Sequence, residues 1–476
     1  MCRAARNSSS CGPGNSKFLR VGVEDCSALA WTRFSRAEIA VKKVIIGRGL
    51  GRFLPILGVS ALLVGWGGSG AGASSSATLT VDVNQSFSGV NAIEGPITDT
   101  GCYAATTAIN DAGGVLGNKM TCVNTDDKGD AADAVAGVDK LLASTSHLVA
   151  VLGPGNTSPA TEPLFTRAKI PMFTNNTDPR YNNNSNPYFF RILPSDSLGG
   201  ISLAQWAYQH GFTHAAGVFT TEVDSQTNVP SLVKGYKLLG GDLVTNLALA
   251  PDQSDYRTEA AALVRAKPDA IIADLDPQTA ATFFANLKQA DPHIPQIIMD
   301  STGTAPQFES AVVKVLGRAT FSKMISVQQT APDTSSSGYQ AYLKALKKSG
   351  QHGLLQFAPI SYAYYGYDGI ILDALAMTSH KTIDPSGSDI LKMIVSMTHP
   401  GKAKVTVQTF PEGVKALKEG KKIYYLGAYG LINFNKHNNA SAPFIGVRTL
   451  ANGSLVNVGS PMSSSALSNL LRRTGL

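Results

Sequence analysis

Motifs that mark common catalytic and metal sites are missing from this chain of 476 residues. There is no HExxH, CxxC, P-loop or GxSxG pattern, so zinc peptidases, thiol redox proteins, P-loop nucleotide hydrolases and α/β-hydrolases find no support. His210 and His214 stand four residues apart, but Gly211 between them indicates a helix end rather than a metal-binding pair. The acidic run at 126–130 lacks the glycine position and terminal glutamate of a calcium loop, which favours a solvated turn. No metal or cofactor is predicted.

Cysteine is scarce in the body of the chain. Three of the five cysteines lie before residue 30, which leaves Cys102 and Cys122. An even number of cysteines in an exported chain favours a disulfide between them, because export leads to an oxidising compartment. Two buried free thiols are the alternative.

Net charge is also absent from most of the chain. Residues 1–66 carry a net charge of +7, and the remaining residues hold 31 basic and 31 acidic side chains. The excess of positive charge therefore lies in the first 66 residues and gives no argument for a nucleic-acid partner. Four tyrosines between 362 and 367 have the makings of a stacking platform for bases, but no basic groove accompanies them, and packing in a core or cleft explains them more simply.

Residues 1–76 have the parts of an export leader followed by a flexible tether. A basic stretch at 42–52 precedes an apolar segment of 13 residues at 53–65, which is too short for a comfortable membrane span. The surrounding pattern resembles a bacterial lipoprotein signal, but Trp66 stands where the lipid-bearing cysteine would be. Cleavage near residues 71–73 would release a soluble protein, whereas an uncleaved segment would leave a membrane tether. We therefore predict an exported protein of the periplasm or cell surface.

The most informative stretch runs from residue 148 to 177. Apolar residues at 149–152 and 170–173 predict two buried parallel strands with a helix between them. Polar residues follow each strand: Asn156, Thr157 and Ser158 after the first, and Asn175, Asn176 and Thr177 after the second. Because the carboxyl ends of parallel strands share one sheet edge, these loops predict a ligand site, and the helix N-terminus there favours an anion such as a carboxylate. Two ordinary βα turns with capping residues are the alternative.

Strands and helices alternate along most of the chain, which indicates an α/β architecture with parallel sheets. Two similar blocks of this kind predict two doubly wound, Rossmann-like lobes with a ligand cleft between them. A polar loop containing Glu94 is expected over 84–99, followed by a helix from Thr100. The expected division is a leader over 1–76, lobe 1 over 77–193 and 328–428, lobe 2 over 194–327 and 429–462, and a tail over 463–476.

Several short segments resemble, in their order and spacing, the type I periplasmic binding proteins of the branched-chain amino acid and amide group, which serve ABC transporters. They are AINDAGGVLG at 108–117, DD at 126–127, KLL at 140–142, VLGP at 151–154, NPYFFRILPSD at 186–196, YD at 367–368 and GLINF at 430–434. The resemblance implies two α/β lobes joined by three hinge strands. It also implies that a ligand is trapped when the lobes close.

The resemblance implies roles for particular residues of lobe 1. The loops at 156–158 and 175–177 match those that hold the α-carboxylate in relatives that bind amino acids. Glu94 would line the mouth of the cleft, and Tyr367 in a late helix would cover the ligand. A solvated charge at the rim is the alternative role for Glu94.

Lobe 2 departs from the pattern of the relatives. Aromatic residues and an acid are often found there after the strands, and this chain has Asp276 and Asp300 instead. Each aspartate is either a ligand contact or a cap at a strand end. The sequence is therefore as compatible with a cationic or polar ligand as with leucine.

These observations predict a solute-binding protein without enzymatic activity. It would capture a small amino acid-like or amide ligand by lobe closure and deliver it to the membrane subunits of an ABC permease. The alternative is a ligand-sensing module of the same fold that signals through a partner, because one fold serves both purposes. An enzyme is not supported, since the expected cleft stretches contain no His or Cys to pair with a serine.

Overall fold

A computed structural model describes residues 76–89, 91–430 and 432–476. The predicted leader lies outside these ranges except for its last residue. Within them, no helix is both long enough and apolar enough to cross a membrane.

The first part of the chain forms a five-stranded parallel sheet flanked by helices. Its elements are β1 (Thr78–Gln85), α1 (Glu94–Asp111), β2 (Lys119–Asp126), α2 (Ala131–Ser144), β3 (Leu148–Leu152), α3 (Ser158–Ala168), β4 (Met172–Thr174) and β5 (Phe189–Arg191). The strand order is β2-β1-β3-β4-β5. Every residue of β3 is buried, as expected for a parallel strand with helices on both faces.

The second part builds most of another sheet. Its elements are α4 (Asp196–Gln209), β6 (His214–Thr220), α5 (Val223–Gln226), α6 (Val229–Leu239), β7 (Asp242–Leu249), α7 (Arg257–Ala266), β8 (Ala270–Asp274), α8 (Pro277–Ala290), β9 (Gln296–Met299), α9 (Pro306–Leu316), α10 (Arg318–Phe321) and β10 (Ile325–Gln329).

The chain then returns to the first sheet and crosses once more. The returning elements are α11 (Ser337–Lys348), α12 (Ser361–His380), α13 (Ser388–Met397), β11 (Lys404–Val407), α14 (Phe410–Lys418) and β12 (Lys422–Tyr425), followed by β13 (Phe444–Thr449), β14 (Leu455–Met462) and α15 (Ser464–Arg473). The second sheet has the order β14-β13-β10-β9-β8-β6-β7, with antiparallel pairing only at its β13 and β14 end. Strands β11 and β12 pair separately, and 3-10 turns occupy Pro179–Tyr181, Ser301–Thr304 and His352–Phe357. The molecule thus has two α/β lobes, as predicted.

Helix α12 forms the centre of the lobe-1 core. All its residues from Ala363 to Met377 are buried, including Asp368 and Asp373, so no face of this stretch is exposed to solvent. It crosses α1 closely at Gly101, where a Cβ atom would lie 2.4 Å from the carbonyl oxygen of Ala363. Any larger residue would push the two helices apart.

Cys102 of α1 and Cys122 of β2 are joined by a disulfide, with an S–S distance of 2.02 Å. It ties the first helix of lobe 1 to the edge strand of its sheet. The two cysteines are 20 residues apart in the sequence.

Two expected boundaries differ from the structure. Helix α1 begins at Glu94, not at Thr100, because Pro96 is tolerated in the first turn of a helix although it reads as a loop residue. The return to lobe 2 was expected at 429, yet apolar residues as far as Ala442 pack in the lobe-1 core, and only Phe444 joins the lobe-2 core. The crossing therefore lies close to residue 443.

The segment set apart as a tail, 463–476, contains a packed helix. Leu467 and Leu470 of α15 are buried in the same core as α4 and α6. Ser463 caps the helix by accepting a hydrogen bond from the backbone N–H of Ala466.

Candidate functional site

The carboxyl ends of the parallel strands in the two sheets face each other, and side chains from both lobes meet between them. Burial raises the pKa of Asp224, after β6, and the Asn156 side chain, after β3, offsets part of this rise, so the two side chains lie near each other. Burial and then the charge of Asp224 raise the pKa of Glu94, the first residue of α1. We call this region the cleft.

The two hydroxyls of the first predicted loop are used inside lobe 1. Thr157 donates to the Oδ2 atom of Asp127 at 2.8 Å, and Ser158 donates to the carbonyl oxygens of Pro154 and Gly155 at 2.8 and 2.6 Å. Both side chains are buried. They shape the loop but do not offer their hydroxyls to a ligand.

The second predicted loop divides in the same way. Asn176 is buried and donates from Nδ2 to the carbonyl oxygen of Gly155 at 2.9 Å, so it fastens one loop to the other. Asn175 accepts a hydrogen bond of 2.7 Å from the Nε2 atom of Gln85. The carbonyl oxygen of Thr177 accepts a hydrogen bond of 3.0 Å from the backbone N–H of Asp196, so the two residues meet where the chain passes from lobe 1 to lobe 2.

Three acceptor oxygens gather beside Gly155. A Cβ atom there would lie 2.8 Å from Oε1 of Gln85, 3.2 Å from Oε2 of Glu94 and 3.5 Å from Oδ1 of Asn175. Gln85 is fully buried, and its Oε1 atom has no hydrogen-bond partner among the described residues. Burial, followed by the charge of Asp224, raises the pKa of Glu94 to about 7.

The tyrosine beside the cleft is Tyr362 and not Tyr367. Tyr367 is buried in the lobe-1 core and packs edge-on against Tyr342 at a centroid distance of 5.2 Å. The pKa of Tyr362 is raised first by burial and then by Glu94 and lobe-2 acids, which places its hydroxyl near the cleft. The expectation that Tyr367 covers the ligand therefore does not fit its position, because five residues turn a helix by about 140° and move the side chain to another face.

Lobe 2 presents carboxyl groups to the cleft. Asp196 begins α4, Asp224 follows β6, Asp274 ends β8 and Asp300 follows β9. Burial raises the pKa values of Asp196 and Asp300 to about 6. The pKa of Asp274 is raised well above its usual range, first by burial and then by the charges of Asp300, Asp196 and Asp224. These acids repel one another.

The two predicted lobe-2 residues also act as caps. Asp276 accepts hydrogen bonds of 2.9 Å from the backbone N–H groups of Gln278 and Thr279 at the start of α8. Asp300 accepts from the backbone N–H and the hydroxyl of Thr302. The charge of Asp300 acts on Asp274, and that of Asp276 acts on Glu222 in the loop after β6.

Positive charge reaches this cluster from Arg191, the last residue of β5. Its guanidinium is buried and donates to the carbonyl oxygen of Asp178 at 3.0 Å and to Oδ1 of Asn182 at 2.8 Å. Burial raises the pKa of Asp196 to about 6, and the charge of Arg191 offsets only a small part of that rise. No group of three or more His, Cys, Asp or Glu residues within the described ranges is arranged to hold a metal ion.

Five cleft residues are not among those predicted: Gln85, Asp196, Asp224, Asp274 and Tyr362. All except Tyr362 lie at or just after the carboxyl end of a strand, which is the available sequence signal. Such a position alone does not separate a ligand contact from a cap. The arrangement can bind groups that donate several hydrogen bonds, and it pairs no nucleophile with a base.

Comparison with known proteins identifies relatives by family and by fold. Residues 78–413 match the family model described as periplasmic binding protein. None of the curated proteins compared with the sequence matches it.

Several solved structures of similar fold match this chain over nearly their whole length. Leucine-binding protein LivK of Thermotoga maritima has a TM-score of 0.61 at 16% identity, over 82% of this chain and 99% of that one. LivJ of Streptococcus pneumoniae, solved with isoleucine, has a TM-score of 0.60 at 18% identity, over 81% and 99%. A solute-binding protein of R. palustris solved with benzoate has a TM-score of 0.59 at 16% identity, over 82% and 98%. At such identities the likeness concerns the fold.

Proposed function

Because the chain belongs to the periplasmic binding protein family, we propose that it is an extracytoplasmic solute-binding protein without enzymatic activity. It captures a small amino acid-like or amide solute between its lobes and delivers it to an ABC permease. The observation that carries the proposal is the pair of parallel sheets, one in each lobe, with polar residues at the carboxyl ends of their strands, such as Asn156 after β3 and Asp274 at the end of β8. A ligand held by both faces favours the closed state.

Each lobe contributes a distinct part of the site. Glu94, Asn156, Asn175 and Thr177 belong to the lobe-1 face, and Asp300 belongs to the lobe-2 face. Thr157, Ser158 and Asn176 support the lobe-1 loops. At the start of α3 the backbone N–H groups of Ser158 and Ala160 already donate to the carbonyl oxygens of Gly155 and Thr157, so they too support the loop.

A thermal-shift screen of the purified protein tests solute binding. A ligand that binds only the folded state raises the melting temperature by mass action. The panel contains branched-chain, polar and basic amino acids, short amides, urea and benzoate. A concentration-dependent shift with any of them supports the proposal, and no shift with any compound contradicts it.

Uptake by cells that lack the protein tests delivery to a permease. We expect uptake of the ligand to fall when the gene is deleted and to return with the wild-type gene. Unchanged uptake, together with loss of a ligand-dependent response, would support a sensor of the same fold instead.

Export through the leader is part of the proposal. The mature N-terminus, determined by sequencing, decides between a released and a tethered protein. A new N-terminus near residues 71–73 supports release, whereas retention of residues 53–65 in a membrane fraction supports a tether.

A further inference from the structure

We propose that lobe 1 docks on a membrane surface that carries anionic lipid headgroups, through the group of lysines at its end away from the cleft. We call this surface the lysine face, and we define it by the exposed lysines within residues 111–119, 344–350 and 415–421. The inference goes beyond the proposed function, because it does not depend on which solute is bound.

The first observation is that contacts with α1 bring α11 and α14 together. The Nζ atom of Lys348, in the last turn of α11, lies 2.6 Å from Oδ1 of Asp111, the last residue of α1. Ala112, the next residue, lines a surface hollow together with Lys415 and Lys418 of α14. Lysines of two different helices therefore flank the carboxyl end of α1.

The start of β2 joins the same surface. The side-chain amide of Asn110, in the last turn of α1, exchanges two hydrogen bonds of 2.8 Å with the backbone of Met120, so Lys119 lies beside the end of the helix. Leu116, in the loop between them, is 45% exposed and adds an apolar group to the surface. Ammonium groups beside an apolar side chain suit the boundary between lipid headgroups and acyl chains.

The second observation is the separation of charge within the body of the protein. The three segments of the lysine face contain seven lysines and two acids. Each acid accompanies one lysine at 2.6 Å, Asp111 with Lys348 and Glu419 with Lys421, which leaves five lysines in excess. Residues 67–476 as a whole have no net charge, so the excess belongs to this surface. Clusters of this size are attracted to anionic lipid surfaces.

The third observation is the place at which the chain enters lobe 1. The backbone N–H of Ala77 donates to Oδ1 of Asn118 at 2.8 Å, in the same loop as Leu116. Eleven residues, 66–76, separate Ala77 from the predicted apolar segment at 53–65, which lies outside the described ranges. A chain of that length reaches at most about 40 Å. If the segment remains in a membrane, the lysine face is the part of the body that the chain joins to it most directly.

Docking through the lysine face leaves the cleft accessible. Helix α1 has 18 residues and begins at Glu94 in the cleft, so its other end lies about 27 Å away. The lysine face also belongs to lobe 1 alone, and lobe 2 remains able to move. A protein held in this way would stay near a membrane-bound permease while its cleft receives solute.

Sedimentation with lipid vesicles tests the proposal. Residues Ala73–Leu476 form one compact unit, so a chain that starts at Ser74 keeps both sheets and removes the basic, apolar leader. At about 0.05 M salt, we expect at least tenfold tighter binding to phosphatidylcholine vesicles with one third phosphatidylglycerol than to phosphatidylcholine alone. The preference should disappear at about 0.5 M salt, because ions screen exposed charges. Equal binding to both vesicles, or binding to neither, would overturn the proposal.

A matched pair of variants assigns the surface. Lys415→Glu with Lys418→Glu reverses two exposed charges one turn apart on α14 and should weaken binding to the anionic vesicles at least tenfold. Lys234→Glu with Lys237→Glu makes the same change on α6 of lobe 2 and should weaken it less than twofold. Equal weakening by both pairs would indicate an effect of net charge alone and would contradict docking through the lysine face.

A second pair keeps the test valid if the α14 variant does not fold. Lys344→Gln with Lys347→Gln removes two charges from α11 and should weaken binding to the anionic vesicles at least threefold. A melting temperature equal to that of the wild type establishes folding of each variant. Unchanged vesicle binding by a folded variant of either helix would contradict the assignment.

Discussion

The two faces of the cleft differ in how their polar groups are satisfied. In lobe 1, Thr157, Ser158 and Asn176 spend their hydrogen bonds on their own loops. In lobe 2, burial and then the charges of Asp300, Asp196 and Asp224 raise the pKa of Asp274. The difference indicates that lobe 1 is a pre-built support, whereas lobe 2 gathers negative charge.

The largest expected effect comes from removing the covalent support of lobe 1. Replacing both Cys102 and Cys122 by alanine frees a loop of 20 residues in the unfolded chain. The free energy of unfolding should fall by about 3 kcal/mol, measured by urea denaturation. The wild type under reducing conditions should lose as much, and a loss below about 1 kcal/mol would contradict the expected role.

Removing a buried hydroxyl from lobe 1 should lower the free energy of unfolding more than removing a partly exposed hydroxyl from lobe 2. Thr157→Val removes a buried hydrogen bond to Asp127 and should cost about 2 kcal/mol in the free energy of unfolding. Thr302→Val removes a hydroxyl donor to Asp300, which keeps some solvent, and should cost less than about 1 kcal/mol. Equal losses of unfolding free energy in urea denaturation would contradict the proposed difference between the two faces.

The buried acids of the cleft predict a pH dependence of opposite sign to ordinary acid denaturation. A carboxyl whose pKa is raised on folding binds its proton more tightly in the folded state than in the unfolded state. The ligand-free protein should therefore melt several degrees higher at pH 5.5 than at pH 8, because Glu94, with a pKa of about 7, and Asp196 and Asp300, with pKa values of about 6, take up protons in this window.

The variant Asp274→Asn checks the origin of that pH dependence. It removes one of the repelling charges, so its melting temperature should change less between the two pH values than that of the wild type. A wild-type melting temperature that falls from pH 8 to pH 5.5, or a variant with an unchanged slope, would contradict the account of lobe 2.

The smallest expected effect concerns the cap at α8. Asp276→Ala removes the acceptor for two backbone N–H groups and should lower the free energy of unfolding by about 1 kcal/mol. Affinity for the ligand should remain that of the wild type in isothermal titration. A loss of affinity would instead show that Asp276 is one of the charges that the ligand meets.

Much of the fold could be predicted from local patterns. The two strands predicted at 149–152 and 170–173 are observed as β3 (Leu148–Leu152) and β4 (Met172–Thr174), with the predicted helix between them. The start of α1 could not be predicted, because Gly95 and Pro96 resemble a loop and only contacts with the rest of lobe 1 make them helical. The return of the chain to lobe 2 near residue 443 could not be predicted either, because tertiary packing decides which core each residue joins.

The site could be predicted only to the level of its loops. The loops at 156–158 and 175–177 could be predicted as candidates because they follow buried strands. The sequence does not tell which of their polar atoms are already hydrogen-bonded within the protein. The partner of Thr157, Asp127, lies 30 residues away in the sequence, so no local pattern reveals the bond. The difference between Tyr362 and Tyr367 likewise depends on how α12 is rotated against α1.

Small-angle X-ray scattering with and without ligand tests most directly whether a solute is held between the two lobes. The ligand is the compound with the largest thermal shift, added at saturating concentration to the full-length protein. We predict that the radius of gyration falls as ligand is added, with a midpoint equal to the dissociation constant from titration. A radius that stays the same at saturation would contradict capture by lobe closure.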